Sequence, residues 1–352
     1  MSTDFHDLLE KYRVDAVLIS HLPNVRWLCG FTGSRGMVVL RRDDVCFLSD
    51  TRYTDQARTE VTHAGVFTQE GAFQDIVARE DLFCDITRIL YQGDHLLVSD
   101  FEEWQRCFPG IEWVGSERLL DEFVAQKTSE ELRLMQQAQG ISDRVFTRIL
   151  GSVVPGVSEC DLVAEITYQH LLLGAEKMSF DPIVLSGPRA SLPHGRASDR
   201  CVKRGELLLL DFGCFVGGYA SDMTRTIAVG QPPAAQREAY NVVLEAQTRA
   251  LDYLCAGHTT CEIDAVARSV IDDAGYGDCF VHSLGHGIGL EVHEWPRLSR
   301  HTNDTLPANV AVTIEPGIYV SGQFGIRIED TVVVGPDACE RLGTSPRALL
   351  VV

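Results

Sequence analysis

The chain has 352 residues, of which 45% are hydrophobic and 23% are charged, and its formal net charge is −19. The composition is typical of a globular protein, and the length exceeds what one hydrophobic core usually organises, so we expect two domains. The negative charge argues against nucleic acid as a partner, because it repels the phosphate backbone. No apolar segment approaches the ~20 residues of a membrane span.

The amino-terminal segment and the cysteines predict the compartment. The chain opens with MSTDFHDLLEKYRVDAVLIS, an acidic and mixed sequence that does not resemble a secretory signal peptide. The 11 cysteines are odd in number and form no C-x-x-C pair, which predicts that there is no disulfide framework. We therefore expect a cytoplasmic protein.

Strands and helices alternate in the first third of the chain. The predicted strands are 15–20, 36–50 (a hairpin that turns at RRDD), 95–100 and 111–115. The segment RYTDQARTEV, 52–61, is predicted to be helical. This order predicts a small α/β domain over residues 1–122.

The remainder, residues 123–352, is predicted to be an α+β domain. A T-x-x-E capping box at Thr128 and Glu131 opens a long helix, and a second helix restarts near Ser158. Two further helices are predicted at 234–254 and 260–274, with strand-like segments between and after them.

Two aspartates frame a hairpin in this second domain. In LLLLDFGCFVGGYASDMTRT, Asp211 ends an apolar strand, Gly217 and Gly218 supply the turn, and Asp222 returns on the other side. With Val216 and Gly217 as the loop, the two aspartates face each other directly, and other registers move the partner by one or two positions. Two unpaired carboxylates on an apolar hairpin are costly, and a cation between them removes that cost.

Histidines and glutamates add to this pair. VHSLGHGIGLEVHEWP holds His282, His286 and His293 among glycines that argue against a helix. Glu315, whose extended backbone is imposed by the following proline, and Glu329 are each predicted to lie in an apolar strand. Four carboxylates, namely Asp211, Asp222, Glu315 and Glu329, and the single imidazole of His286 suit two divalent cations with bridging oxygens.

These motifs, in this order, resemble the pita-bread metallopeptidases. The spacing D-x₁₀-D is followed by H-x₃-H-G-x-G-x₃-H-E, then E-P-G-x-Y, then G-x-R-x-E-D. The likeness is greatest to the proline-specific branch, Xaa-Pro dipeptidase (prolidase) and aminopeptidase P. The resemblance implies a carboxy-terminal pita-bread domain of α+β class over 123–352, behind a smaller α/β domain of the creatinase type over 1–122.

The resemblance also implies roles for individual residues. Asp211, Asp222 and Glu329 would hold one metal ion, and Asp222, His286, Glu315 and Glu329 the other. Oxygen-rich ligation with one histidine favours Mn²⁺, with Zn²⁺ or Co²⁺ as alternatives. A hydroxide that bridges the two ions would attack the carbonyl before proline, since each ion lowers the pKa of bound water.

Further residues are assigned to catalysis and to the substrate by the same resemblance. Glu315 would carry the proton to the leaving nitrogen, and His293 would stabilise the oxyanion. His282 and Arg327 would act at the proline side of the substrate, where they could oppose a free carboxylate. His194 would line the same pocket, and Tyr219 is either a support for the site or part of the strand packing. We expect short proline-containing peptides as substrates and a homodimer as the assembly.

Three functional hypotheses remain open from the sequence. The first is a dimetal Xaa-Pro exopeptidase, in which the short first domain favours the dipeptidase over aminopeptidase P. The second is a metal-free creatinase-like C–N hydrolase or binding scaffold, which has no need of four converging carboxylates. The third is another two-metal hydrolase or lyase on the same fold, which a substrate screen would separate.

Overall fold

The computed structural model describes residues 5–352, which form two compact units that meet between Val124 and Ala125. Among the described residues, no helix combines the length and the hydrophobicity that crossing a membrane requires.

The first unit is built on a mixed six-stranded sheet with the strand order β4-β3-β2-β1-β5-β6. Its strands are β1 (Ala16–Ile19), β2 (Met37–Arg41), β3 (Val45–Ser49), β4 (Gly65–Thr68), β5 (Arg88–Gln92) and β6 (Glu112–Ser116). Strands β2 and β3 form the antiparallel hairpin that was predicted at 36–50. Strand β1 is buried along its whole length, which is the reason for its continuous apolar sequence.

Short helices connect these strands. They are α1 (His6–Tyr12), α2 (Leu22–Cys29), α3 (Thr54–Glu60), α4 (Phe73–Arg79), α5 (Val98–Cys107) and, at the boundary between the units, α6 (Asp121–Ala125). The helix predicted at 52–61 is confirmed as α3, preceded by one 3₁₀ turn at Thr51–Tyr53. The strand predicted at 95–100 is wrong, because α5 begins at Val98 and buries Trp104 in the core.

Four helices of the second unit follow the predicted positions. They are α7 (Ser129–Ile149), α8 (Glu159–Leu172), α9 (Ala234–Tyr253) and α10 (Thr260–Asp273). The capping box at the start of α7 is formed: the Thr128 hydroxyl accepts from the Glu131 amide, and the Glu131 carboxylate accepts from the Thr128 amide. Capping boxes also open α8, at Ser158, and α10, at Thr259, whereas α9 follows Pro233 without a side-chain cap.

The strands of the second unit form four small antiparallel sheets. The first sheet contains β8 (Ile183–Ser186), β9 (Glu206–Phe212) and β12 (Met223–Val229), and the second contains β7 (Lys177–Met178), β10 (Cys214–Val216) and β11 (Tyr219–Ala220). The third sheet has five strands, β13 (Gly285–Gly287), β14 (Glu294–Leu298), β15 (Ala311–Ile314), β18 (Asp330–Val334) and β19 (Cys339–Arg341). The fourth is the hairpin of β16 (Gly317–Val320) and β17 (Phe324–Arg327). The predicted α+β character of residues 123–352 is confirmed.

Two hydrophobic cores support these sheets. Helices α7 and α8 pack with β8, β9 and β12, and helices α9 and α10 pack with β15, β17 and β18. Strand β9 serves both cores, since Leu208 and Leu210 belong to the first while Leu207 belongs to the second. A strand that is buried on both faces needs apolar residues at every position, which explains the run of four leucines before Asp211.

The hairpin that follows β9 turns at Gly217 and Gly218, both of which have positive φ, as a type I′ turn requires. The loop is Gly217-Gly218, not Val216-Gly217, so the register is one of the alternatives left open: Asp211 lies opposite Thr224, two positions from Asp222. At Gly213 a Cβ atom would lie 1.8 Å from the Ser221 carbonyl oxygen. Because only glycine permits this approach, the chain bends here and separates the sheet of β9 and β12 from that of β10 and β11.

Candidate metal centre

One cavity of about 1070 Å³ gathers nearly all of the residues that the sequence singled out. Its lining includes Asp211, Asp222, His286, Glu315, Glu329, His194, His282, His293 and Arg327. These residues come from six different segments of the second unit, so their convergence is a product of the fold and not of local sequence. Tyr219 is not among the lining residues.

The two aspartates reach the cavity at the point where β9 ends and β12 begins. Both are buried, and their Oδ1 atoms have no hydrogen-bond partner among the described residues. Oδ2 of Asp211 accepts from the Arg327 guanidinium, and Oδ2 of Asp222 lies 3.7 Å from Nε2 of His286. A buried carboxylate oxygen without a donor is unfavourable unless a cation occupies its free side.

His286 lies in the short strand β13 between two glycines. A Cβ atom at Gly285 would lie 1.9 Å from the Thr313 carbonyl oxygen, so glycine lets β13 lie against β15 at this point. Nδ1 of His286 is 3.0 Å from the Gly287 carbonyl oxygen and must donate to it. The lone pair of Nε2 therefore faces the carboxylates of Asp222, at 3.7 Å, and Glu315, at 3.4 Å.

The two glutamates lie at strand ends, not within strands as the sequence predicted. Glu315 directly follows β15, and Pro316, which has no N–H group, ends the ladder there. Glu329 lies between β17 and β18. Thr224 donates to Oε2 of Glu329 at 2.6 Å, and Thr313 donates to Oε1 of Glu315 at 3.2 Å. Glu329 is thus oriented by a threonine of β12, and Glu315 by a threonine of β15, the strand that it follows.

The electrostatics of this cluster show an excess of negative charge. Burial, followed by the nearby carboxylates of Glu329 and Asp211, raises the pKa of Asp222 well above its ordinary value. Burial and the carboxylates of Glu315 and Asp211 do the same to the pKa of Glu329. Burial raises the pKa of Glu315 to about 7, although Arg327 opposes the shift. Four carboxylates compete for too little positive charge.

The donor set fits divalent cations. Oxygen and nitrogen atoms of Asp222, His286 and Glu329 all lie within 4.8 Å of one another, close enough for one ion to be bound by all three. The free Oδ1 atoms of both aspartates and the free Nε2 of His286 supply unused lone pairs at the same place. Cations there would offset both the repulsion and the cost of burial.

A hydrogen-bonded chain borders the cluster. The guanidinium of Arg327 donates to Tyr319 Oη at 2.7 Å and to Thr224 Oγ1 at 3.0 Å. Nδ1 of His282 donates to the Ser283 carbonyl oxygen, so Nε2, at 3.0 Å, accepts from Tyr319 Oη. Burial, with the positive charge of Arg327, lowers the pKa of His282 to about 3, which keeps it neutral.

No role for Tyr319 was predicted from the sequence. The residue is the last letter of the E-P-G-x-Y motif, but its place in an apolar strand is equally typical of core packing. Arg327 was expected only at the proline side of the substrate, and the structure adds that its guanidinium pairs with Asp211. Both contacts join segments that are distant in sequence, which a single strand pattern does not reveal.

The remaining predicted residues differ in their placement. The rings of His293 and His286 meet edge to face with centroids 4.4 Å apart. His194 is exposed and lies in the loop after a 3₁₀ turn at Gly187–Ser191. Tyr219 donates a 2.6 Å hydrogen bond to Glu131 at the start of α7, which favours the strand-packing interpretation of this residue over contact with a substrate.

Comparison with protein families gives one match for each part of the chain. Residues 133–336 match the model of metallopeptidase family M24. Residues 3–123 match that of the Creatinase/Prolidase N-terminal domain.

Several relatives are similar over almost their whole length. The Xaa-Pro dipeptidase of Pyrococcus horikoshii is 34% identical over 98% of this chain and 97% of its own. A solved Xaa-Pro dipeptidase from Bacillus anthracis is 36% identical, with a TM-score of 0.95 over 99% of this chain and 98% of that one. A solved X-Pro aminopeptidase from Thermotoga maritima is 37% identical, with a TM-score of 0.92 over 98% and 100%. The predicted fold class, a pita-bread domain with a smaller amino-terminal α/β domain, is confirmed.

Proposed function

Because the chain belongs to metallopeptidase family M24, we propose that it is a dinuclear-metal exopeptidase that hydrolyses the peptide bond before proline. The observation that carries this proposal is the convergence of four carboxylates, three of them buried, and one lone-pair nitrogen on a single cavity. Relatives of the same length are named Xaa-Pro dipeptidase, which supports the choice of substrate.

The metal ligands we propose are those expected from the sequence. Asp211, Asp222 and Glu329 would hold one ion, and Asp222, His286, Glu315 and Glu329 the other, with Asp222 and Glu329 shared. The ions, when bound, would supply a nucleophilic water at neutral pH and polarise the substrate carbonyl. We favour Mn²⁺ over Zn²⁺ or Co²⁺ because six of the seven contacts to the ions come from carboxylates and only one from nitrogen.

Within this arrangement Glu315 is the proposed proton carrier. Its carboxylate lies at the proposed ion site, 3.4 Å from Nε2 of His286, where a carboxylate can accept a proton and pass it on. It would take the proton from the attacking water and deliver it to the leaving proline nitrogen. Thr313 holds the carboxylate in one orientation.

The substrate is proposed to contact His293 and the hydrogen-bonded residues Arg327 and His282. His293, exposed in the cavity and beside His286, would donate to the developing oxyanion. Arg327 and His282 would border the proline side, with Arg327 also neutralising Asp211. His194 would line the same side from its loop. Each of these roles is a proposal about residues that line one cavity.

The dipeptidase is favoured over aminopeptidase P, and one assay separates them. Initial rates are measured on a Xaa-Pro dipeptide and on a Xaa-Pro-Xaa tripeptide, with an Ala-Ala dipeptide as the control. We expect the dipeptide to be cleaved with the higher kcat/KM. Cleavage of the tripeptide alone would assign the protein to the aminopeptidase, and cleavage of neither proline peptide would contradict the proposed function.

The creatinase-like or scaffold alternative is not favoured, because the family is one of metallopeptidases and the carboxylates converge as metal ligands require. We further propose a domain boundary between residues 122 and 123, a homodimeric assembly and a cytoplasmic location. Size-exclusion chromatography with light scattering tests the assembly, with a mass near twice the 38.9 kDa of one chain as the expected result.

A further inference from the structure

Glu159 is a fully buried carboxylate for which the proposed chemistry has no use. It is the first residue of α8 and has no exposed surface. Removing a charge from water is costly unless hydrogen bonds or an opposite charge offset it. The contacts of Glu159 therefore indicate what this charge is retained for.

Glu159 accepts five hydrogen bonds, all from one short stretch of the chain. Oε1 accepts from the amide and the hydroxyl of Ser186 at 2.8 and 2.9 Å. Oε2 accepts from the amide and the hydroxyl of Ser198 at 3.0 and 2.9 Å and from Nε of Arg189 at 3.0 Å. The carboxylate thus joins the two ends of the segment 186–198.

The segment between these ends lines the metal cavity. His194, Gly195, Arg196 and Ala197 all belong to the lining. The guanidinium of Arg189, held by Glu159, also donates to the Arg196 carbonyl oxygen, and Arg327 donates to the Pro193 carbonyl oxygen at 3.2 Å. The loop is therefore fastened at its base by Glu159 and along its length by arginines.

We infer that Glu159 is a positioning residue that holds the loop 187–198, and with it His194, against the substrate side of the cavity. The inference rests on the proposed function for its kinetic consequence, but the tie between Glu159 and the loop is independent of the substrate. Loops that carry binding residues are otherwise mobile, and a misplacement of about 1 Å at a reacting substrate is enough to lower the rate by about a hundredfold.

The first test is a double-mutant cycle on a Xaa-Pro dipeptide with Glu159→Gln, His194→Ala and the double variant. Glutamine places an amide donor where one carboxylate oxygen accepts two or three hydrogen bonds, so those contacts are disrupted. We expect Glu159→Gln to lower kcat/KM by about tenfold and the double variant to be no worse than His194→Ala, because both changes remove one interaction. Losses that multiply in the double variant would overturn the inference.

Asp143→Asn is the matched control. Asp143 is also buried and accepts four hydrogen bonds, from the amides and hydroxyls of Thr344 and Ser345, but none of these residues lines the cavity. This variant should keep the kcat/KM of the wild type. A loss equal to that of Glu159→Gln would reduce the role of Glu159 to general stability and overturn the inference.

Hydrogen exchange supplies a readout that does not depend on activity. Amides of residues 187–198 should exchange faster in Glu159→Gln than in the wild type. In Asp143→Asn their exchange rates should equal those of the wild type. Arg189→Met alters a half-buried residue and is therefore a milder change. It should raise the exchange rates and lower kcat/KM, each by less than Glu159→Gln does. Unchanged exchange in Glu159→Gln would overturn the inference whatever the substrate, whereas faster exchange in a protein inactive on proline peptides would contradict only the proposed function.

Discussion

Glu329 and Asp330 are adjacent in sequence and both buried, yet their surroundings are opposite. The carboxylate of Asp330 accepts from Arg225 at 2.7 Å, from Arg341 at 3.0 Å and from Gln247 at 3.1 Å. Glu329 faces a cavity that it shares with Asp211, Asp222 and Glu315. Asp330 is surrounded by hydrogen-bond donors, whereas Glu329 is surrounded by other carboxylates.

The difference separates a structural charge from a functional one. A buried carboxylate with three donors is stable as it stands and needs no ligand. A group of carboxylates that raise one another's pKa is unfavourable in the folded protein and persists where it serves a function. We therefore expect that removing the charge of Asp330 lowers the stability of the fold, and that removing one carboxylate of the cluster impairs only the reaction.

The largest effect is expected for Glu315→Ala. Loss of the proposed proton carrier and metal ligand should lower kcat on a Xaa-Pro dipeptide by about 10³-fold or more. Far-UV circular dichroism should remain that of the wild type, because Glu315 lies beyond the end of β15 and its carboxylate accepts a single side-chain hydrogen bond, from Thr313. Near-normal turnover would contradict the assigned role.

Asp330→Asn should show the reverse behaviour. Removing this charge leaves Arg225 buried and without its ion-pair partner, which should lower the free energy of unfolding by about 3 kcal/mol. The content of bound metal per folded chain should not change. Urea denaturation, with metal analysis on the same samples, checks both statements, and a variant that loses metal while keeping its stability would break the comparison.

Glu329→Gln, measured on chelator-treated protein, should increase stability. Because the pKa of Glu329 is raised in the folded state, the carboxylate destabilises the fold at every pH above the ordinary value of 4.5. The variant should be more stable than the wild type at pH 7, and the gain should disappear as the pH falls towards 4.5. A loss of stability at pH 7 would show that Glu329 is well accommodated without a metal ion.

The smallest effect concerns a buried group that avoids charge altogether. His170 donates to the Ile166 carbonyl oxygen and contacts Ser142 Oγ at 3.3 Å, and burial lowers its pKa to about 4. The unfolded chain therefore binds more protons than the folded one between pH 6.5 and 4, so stability falls as the pH is lowered through this window.

Replacing this histidine isolates its contribution. Relative to His170→Gln, the wild type should lose about 1 kcal/mol of unfolding free energy between pH 7 and pH 5.5. Urea denaturation of both proteins at the two pH values measures the change. A difference between them that does not vary with pH would show that His170 is not kept neutral by the fold.

Much of the metal centre was predictable because its residues lie in local patterns. Asp211 closes a leucine run, and Glu315 precedes a proline that fixes its backbone. The positions of Glu315 and Glu329 relative to the strands were less predictable. Both lie beyond strand ends, but the apolar residues Ile314 and Ile328 that precede them give no signal that the strand has stopped. Boundaries of this kind depend on hydrogen bonding to other strands.

Contacts between distant segments were not predictable. The pairs Arg327–Asp211 and Glu159–Ser198 join residues 116 and 39 positions apart, and no single segment encodes them. The strand predicted at 95–100 failed for a local reason. The apolar residues Leu97, Phe101 and Trp104 continue at helical spacing beyond the short run that was taken for a strand, and α5 follows that longer pattern.

Divalent cations are proposed to complete the carboxylate cluster, and removing and restoring them tests whether the protein depends on them. Protein treated with a chelator and freed of it is assayed on a Xaa-Pro dipeptide before and after titration with Mn²⁺, with metal content determined in each sample. We expect negligible hydrolysis without metal and recovery that is complete at two ions per chain. Full hydrolysis by metal-free protein would contradict the account.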